Sequence, residues 1–382
     1  MFLEALKRKN PKLIETAKYL HRSGQILPDT YILDLDTIIE NAALLKKTAE
    51  VAGIELFYMT KQFGRNPLVA NHIRSAGIEK AVAVDYREIL ALMAHKLPLG
   101  NVGHLVQVPQ SILESVLQYG VDFITVYSTH KLQEINRICA NLGIRQKILF
   151  KVQEADDETF EGQYGGFCLA ELDALAKVAK GLPYVQPAGL TSFPCFLFDG
   201  SHSFKPSQNI NTLKRAKAIF EENGIYLDEI NLPGATCCDT IPMIAELGGT
   251  QGEPGHALTG TTPLHAVKED IPEKPAMVYA SEISHNVGGS AYFYGGGYYR
   301  RGHFSNALVD NGKSEKECLI KPFSPENIDY YLEIESNHEI GATVIAAFRA
   351  QIFVSRSDVA VVSGIGSGKP KIEGIFDSQG RS

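Results

Sequence analysis

From Thr30 to about Pro263 the chain alternates short apolar runs with stretches of helical spacing, and this alternation limits its fold more than any other feature. Strand candidates fall at Leu56–Thr60, Lys80–Val84, His104–Val108, Phe123–Val126, Ile148–Val152, Ala188–Ser192, Glu229–Leu232 and, briefly, entering Gln251–Gly255. Between them, Ser111–Tyr119, Thr129–Leu142, Leu169–Lys180 and Asn211–Asn223 place apolar residues three and four apart, as a helix buried on one face does. Strands alternating with helices build a parallel sheet, because each crossover returns the chain in the same direction. About eight such steps is the count of a closed (β/α)8 TIM barrel.

Past Pro263 the helical spacing fades. Glycine, tyrosine and alternating strands take over, as in Gly341–Arg356 and Asp358–Gly364, which predicts a separate C-terminal β domain of antiparallel strands. The strand Thr30–Leu35 can join that domain, because it precedes the first barrel helix at Ile38, Ile39, Ala42 and Leu45. The expected division is residues 1–36 as N-terminal helix and first strand, 37–263 as barrel, and 264–382 as β domain. The 382 residues accommodate it, since a barrel takes roughly 250.

Charge and apolar content narrow the partners. The net charge is −7 and no run of lysines and arginines is longer than three, so neither nucleic acid nor an anionic membrane is an expected partner. Met1–Tyr19 carries Glu4, Lys7, Arg8, Lys9, Lys12 and Glu15, which leaves no apolar core for a signal peptide. No segment offers the roughly 18 uncharged apolar residues of a membrane span. The six cysteines lie scattered apart from the neighbours Cys237 and Cys238, without CxxC spacing, so no disulfide framework or metal site is expected. A cytoplasmic protein is expected.

In a parallel barrel, reactive groups gather at the carboxyl ends of the strands. Lys61 ends the run Leu56-Phe57-Tyr58-Met59-Thr60 and is followed by the breakers of Gln62-Phe63-Gly64-Arg65-Asn66-Pro67. It is either a solvated strand end or an amine placed to condense with a carbonyl. Glu253, in Glu253-Pro254-Gly255-His256, is either a loop glutamate or a carboxylate in the barrel mouth. Together the two read as a covalent lysine for pyridoxal 5′-phosphate and an acid for its ring nitrogen. Ser192 and Phe193 could pack on a planar ring or belong to core and loop. Gly234, Ala235 and Thr236 form a small-residue turn before a helix, and Gly255 with His256 forms a second; such turns bind phosphate through backbone amides, and also occur without a ligand. Tyr298, Tyr299, Arg300 and Arg301 make a packed hairpin or a substrate clamp. Gly364-Ile365-Gly366-Ser367-Gly368-Lys369-Pro370 has the wrong glycine spacing for a phosphate loop and reads as a strand connection.

These residues resemble the fold type III pyridoxal phosphate enzymes, the alanine racemase-like group, and within it the YhfX-type branch. TYILDLDTIIE at Thr30–Glu40 is similar to that group's first strand and helix, and Met59-Thr60-Lys61 stands where it keeps its covalent lysine. The Thr-Lys pair followed by Gly64 and Pro67 is nearer the broad amino-acid and ornithine racemases. Glu253-Pro254-Gly255 matches the basic amino-acid decarboxylases, whereas alanine racemase has arginine before its Pro-Gly.

The resemblance implies a racemase or epimerase that abstracts the Cα proton of an amino acid; a decarboxylase or lyase, or a non-catalytic pyridoxal phosphate protein, are the alternatives. It implies Lys61 as covalent lysine and acid/base, and Gln163 beside the phenolic oxygen, where alanine racemase has arginine. Gly234, Ala235, Thr236, Gly255 and His256 would meet the phosphate. Tyr294, in Tyr294-Gly295-Gly296-Gly297-Tyr298-Tyr299-Arg300-Arg301, would be the opposite-face base, given by a partner subunit, which implies a homodimer. Ser192 replaces a histidine near the ring. Phe348 stands where a phosphate-binding tyrosine is expected, with Arg65 or His256 to supply the missing contact.

Overall fold

The computed structural model describes residues 1–382. Two helices, Phe2–Lys9 and Pro11–Arg22, precede strand β1 (Thr30–Asp34). There follow β2 (Glu55–Met59), β3 (Lys80–Ala83), β4 (Leu99–Val102), β5 (Val121–Val126), β6 (Gln146–Lys151) and β7 (Val185–Thr191). After a short hairpin of β8 (Phe196–Phe198) and β9 (Phe204–Pro206) come β10 (Glu229–Asn231) and β11 (Gln251–Gly252). The remaining strands are β12 (Met277–Val287), β13 (Ser290–Tyr294), β14 (Asn306–Asp310), β15 (Glu315–Leu319), β16 (Tyr331–Glu335), β17 (Thr343–Ala346), β18 (Asp358–Ser363) and β19 (Lys371–Asp377).

Contacts divide the chain into two compact units, neither of them continuous in sequence. One comprises Leu45–Thr60 and Gly77–Gly255; the other comprises Met1–Leu44, Lys61–Ala76 and His256–Ser382.

The first unit is a closed parallel barrel in the order β10-β11-β2-β3-β4-β5-β6-β7. Phe57, Met59, Val82, Phe123, Leu149 and Ala188 pack within it. The helices between strands begin on local caps. The Asp85 carboxylate accepts from the Glu88 N–H, and the Ser128 hydroxyl accepts from that of Lys131. One expected strand is displaced: His104–Val108 is bend and irregular loop, and the strand is β4, just before it. The apolar run that should mark β4 is interrupted by Gly100 and Asn101, for two structural reasons. A Cβ at Gly100 would fall 2.2 Å from the Phe57 ring, so only glycine fits. Asn101 is fully buried and hydrogen-bonds inside the barrel.

The second unit is a nine-stranded sheet, ordered β15-β14-β17-β12-β1-β18-β19, with β13 paired to β12 and β16. Strand β1 lies in the middle of it, antiparallel to β12 and parallel to β18. The apolar faces of both N-terminal helices, through Leu3, Leu6, Leu13, Ile14, Ala17 and Leu20, pack with Ile32, Val278, Ile345 and Ala360 of the sheet. Gly364–Pro370 connects β18 to β19, with Gly364 and Gly368 at positive φ.

Candidate active site

In the barrel unit, Glu253 follows β11 and is buried with its polar neighbours. Its Oε1 accepts from Asn231 Nδ2 at 3.1 Å and Asn101 Nδ2 at 3.3 Å. Each amide is itself oriented: Asn231 Oδ1 accepts from Thr191 Oγ1 and Asn101 Oδ1 from Thr125 Oγ1, both at 2.9 Å. The backbone N–H of Glu253 donates to Thr236 Oγ1 at 2.9 Å, which ties the Gly234–Thr236 turn to it. Its second oxygen lies 3.8 Å from His104 Nε2, and the His104 ring stands edge-on to Phe193 with centroids 5.6 Å apart. A carboxylate with one oxygen clamped by two amides cannot swing, and it presents a fixed acceptor direction.

The expected residues of this unit are arranged as follows. Ser192 is fully buried and its hydroxyl accepts from Asn209 Nδ2 at 3.0 Å. Ala235 takes a left-handed conformation with φ 54, unusual for a residue with a Cβ. The helix expected immediately after this turn begins only at Ile241 and has six residues, so the turn cannot draw on a helix dipole and offers only its own amides. Gln163 Oε1 is buried and has no hydrogen-bond partner.

The strand end that precedes Lys61 is fixed by Glu88, which is completely buried. Its Oε1 accepts from the Thr60 N–H at 3.3 Å and from the Thr60 hydroxyl, and its Oε2 accepts from the Val84 N–H at 2.7 Å. One carboxylate thus anchors the carboxyl ends of β2 and β3.

Sequence reasoning passed over a second lysine. Lys151 ends β6 as Lys61 follows β2, and it is more deeply buried. Its Nζ lies 3.3 Å from Tyr127 Oη, 3.4 Å from the Gln163 carbonyl and 4.6 Å from the Tyr127 ring centroid. Burial holds its pKa down to about 8. The signal that singled out Lys61, a cation closing an apolar strand, was present here too. Asn101, Asn231 and His104 were also missed; the two asparagines were legible only as polar residues inside strands.

In the sheet unit, Lys61 opens a 3-10 turn, Lys61–Phe63, and is 8% exposed. His256 belongs to the same unit. Its Nδ1 pairs with Thr261 Oγ1 at 3.0 Å, and its Nε2 is buried without a partner. Burial, then the charges of Arg349 and Lys61, push the imidazole well below its usual pKa, so it is neutral at pH 7. Arg65, at φ 54, donates from Nη1 to Gln379 Oε1 and lies 5.0 Å from the Phe353 ring. The arginine acting most strongly on His256 is Arg349.

Phe348 is a core residue, stacked on Phe304 at 4.0 Å and edge-on to Tyr31 and Tyr279. Tyr294 ends β13, is 37% exposed, and has its ring tilted against that of Tyr331. Its carbonyl accepts from the hydroxyls of Tyr279 and Ser281.

The donor set suits pyridoxal 5′-phosphate on chemical grounds. The barrel unit holds a clamped carboxylate and an orphaned amide oxygen, acceptors of the kind that a protonated ring nitrogen and a hydroxyl can meet. The sheet unit holds a buried amine and, at His256 and Arg349, polar nitrogens without partners.

Residues 33–263 match the family described as Alanine racemase, N-terminal domain, and residues 278–372 match YhfX-like, C-terminal domain. The "Uncharacterized protein YhfX" of Escherichia coli (strain K12) is 43% identical over 385 residues, covering 100% of this chain and 99% of that protein. D-threonine aldolase from Filomicrobium marinum superposes with a TM-score of 0.68 at 13% identity, covering 92% of this chain and 95% of the other. Alanine racemase from Clostridium difficile 630 gives 0.66 at 16%, covering 92% and 99%. At these identities the two structures speak for the fold alone.

Proposed function

Because the chain belongs to the alanine racemase N-terminal domain family and carries a YhfX-like C-terminal domain, we propose that it is a pyridoxal 5′-phosphate-dependent amino-acid racemase or epimerase. When bound, the cofactor supplies an aldehyde that condenses with amines and a ring that draws electron density from Cα. The observation that carries the reading is the clamped carboxylate of Glu253. It holds a proton on the ring nitrogen through a charge-assisted hydrogen bond of about 1.5–3 kcal/mol.

Lys61 binds the cofactor covalently and moves the Cα proton on one face. Tyr294 from a second copy of the chain serves the opposite face, and two bases flanking one carbon are what inversion requires. Its exposure in a single chain suits a residue given to a neighbour, which makes the enzyme a homodimer. Gln163 meets the phenolic oxygen and Ser192 lies beside the ring. Gly234, Ala235, Thr236, Gly255 and His256 meet the phosphate, with Arg65 in support. Residues 37–263 hold the cofactor and 264–382 help shape the substrate pocket. The substrate is an amino acid and the setting the cytoplasm; no helix of the chain is long and apolar enough to cross a membrane.

The test is incubation of the full-length protein and cofactor with a panel of amino acids in heavy water. Deuterium at Cα together with growth of the opposite enantiomer is expected. Exchange with complete retention of configuration would exclude racemisation.

A further inference from the structure

The segment Tyr298–Arg301 is not a hairpin but a loop and turn between β13 and β14, and it is joined to Arg349 by the backbone. Gly302 N–H donates to the Tyr299 carbonyl at 2.8 Å, and Arg349 N–H donates to the Gly302 carbonyl at 2.9 Å. A Cβ at Gly302 would fall 2.7 Å from the carbonyl oxygens of both Tyr299 and Arg349, so this junction admits only glycine. The Arg349 guanidinium then lies 5.7 Å from the Tyr299 ring centroid, and Arg301 lies 5.5 Å from it.

Three polar atoms of this cluster are buried without partners: Arg349 Nε, Tyr299 Oη and His256 Nε2. No carboxylate lies within ion-pair distance of the Arg349 side chain, and burial, with the Arg301 charge, opposes its protonated form. A contact with an aromatic face restores only a fraction of the hydration that a guanidinium gives up. Arg349 is half-buried with its Nε sealed from water, and a group of sealed, unsatisfied polar atoms beside a cation calls for an anionic ligand. A purely structural cluster would have recruited a carboxylate, as Lys18 and Arg22 recruit Asp310 elsewhere in this unit.

We infer that Arg349, Tyr299 and His256, with Arg301 at the exposed edge and Lys61 adding charge, form a seat for a phosphate monoester. Three terminal oxygens bearing nearly two negative charges match three donors around a guanidinium better than a two-oxygen carboxylate does. The phosphate belongs either to the cofactor, which rests on the function proposed above, or to the substrate. In the first case Arg349 and Tyr299 take over the contact that Phe348, a core residue, cannot make.

The experiment uses full-length protein freed of cofactor. Pyridoxal 5′-phosphate and pyridoxal are titrated calorimetrically into wild type, Arg349→Gln and Tyr299→Phe. In a second arm, melting of cofactor-loaded protein is followed in inorganic phosphate and in chloride at equal ionic strength. If the seat takes the cofactor's phosphate, Arg349→Gln weakens pyridoxal 5′-phosphate about 10- to 100-fold and leaves pyridoxal unchanged. If it takes a substrate's phosphate, cofactor affinity is unchanged, while inorganic phosphate raises the melting temperature of wild type and not of Arg349→Gln. Equality of variant and wild type in both arms overturns the seat. Should Arg349→Gln not fold, Tyr299→Phe reads the same ratios. Failure of wild type to take up either vitamer would defeat the proposed function, and inorganic phosphate binding to the cofactor-free protein would then decide the seat alone.

Discussion

Asn231 donates to Glu253 Oε1 across adjacent barrel strands at 3.1 Å, and its own oxygen accepts from Thr191. A buried amide held from both ends has one rotamer, and it transmits that rigidity to the carboxylate. Glu253 therefore has a fixed direction before any ligand arrives.

Glu253→Gln retains the shape of the side chain and removes its charge. We expect cofactor uptake to persist while Cα proton exchange slows by about 100-fold, the scale of losing a positioned proton-holding group. Proton NMR of amino acids in heavy water measures it; an exchange rate equal to wild type would remove Glu253 from the chemistry.

Lys61→Ala should abolish covalent attachment while leaving the fold intact. Borohydride-reduced wild type is expected to yield a peptide containing Lys61 with the mass of the reduced cofactor, and the variant none. A labelled peptide containing Lys151 in its place would transfer the covalent role to that lysine.

Lys151 gives a stability test. Its folded pKa, about 8, is below the ordinary 10.5, so between these values the unfolded chain binds more protons and stability rises with pH. Below pH 8 both states are charged and the full burial penalty applies. Lys151→Met should be more stable than wild type at pH 7 and should lack that rise. Urea midpoints at pH 7, 8, 9 and 10 decide it; parallel curves would count against the shift.

Asp29 has the opposite sign. Burial, against hydrogen bonds from Ser357 and Tyr279, raises its carboxyl to about 6 from an ordinary 3.8. In that window the folded state holds the extra proton, so this group's contribution to stability falls as pH rises. Asn tolerates the left-handed backbone at position 29, where φ is 67, and its oxygen can still accept from both hydroxyls. Asp29→Asn should gain on the order of 1 kcal/mol at pH 7 and nothing at pH 3.5, by thermal melting.

The barrel was legible because its strands are apolar and its helices amphipathic, so spacing alone separated them. It failed at β4, where Gly100 yields to the Phe57 ring and Asn101 faces Glu253; both depart from a strand pattern to satisfy a neighbour far away in sequence. Lys61 stood out because it follows an apolar strand, and Glu253 because Glu253-Pro254-Gly255-His256 falls about seven strand–helix steps further on. Arg349 did not, since a single arginine after Phe348 resembles any surface cation until its missing carboxylate is seen. The turn at Gly234 was read with a helix behind it, and a run of threonine and cysteine delays that helix to Ile241.

Strand β1 is completed by Ala280 on one side and Asp358 on the other. At about 5–20 residues per second, the ribosome needs on the order of tens of seconds to deliver the second neighbour after the first strand has emerged. Until β12 emerges, Tyr31, Ile32 and Leu33 have no strand to pair with, and one side of β1 stays open until β18 follows. An apolar strand left open for that long is prone to aggregate, so yield in cells should depend on its protection during synthesis more than final stability would suggest.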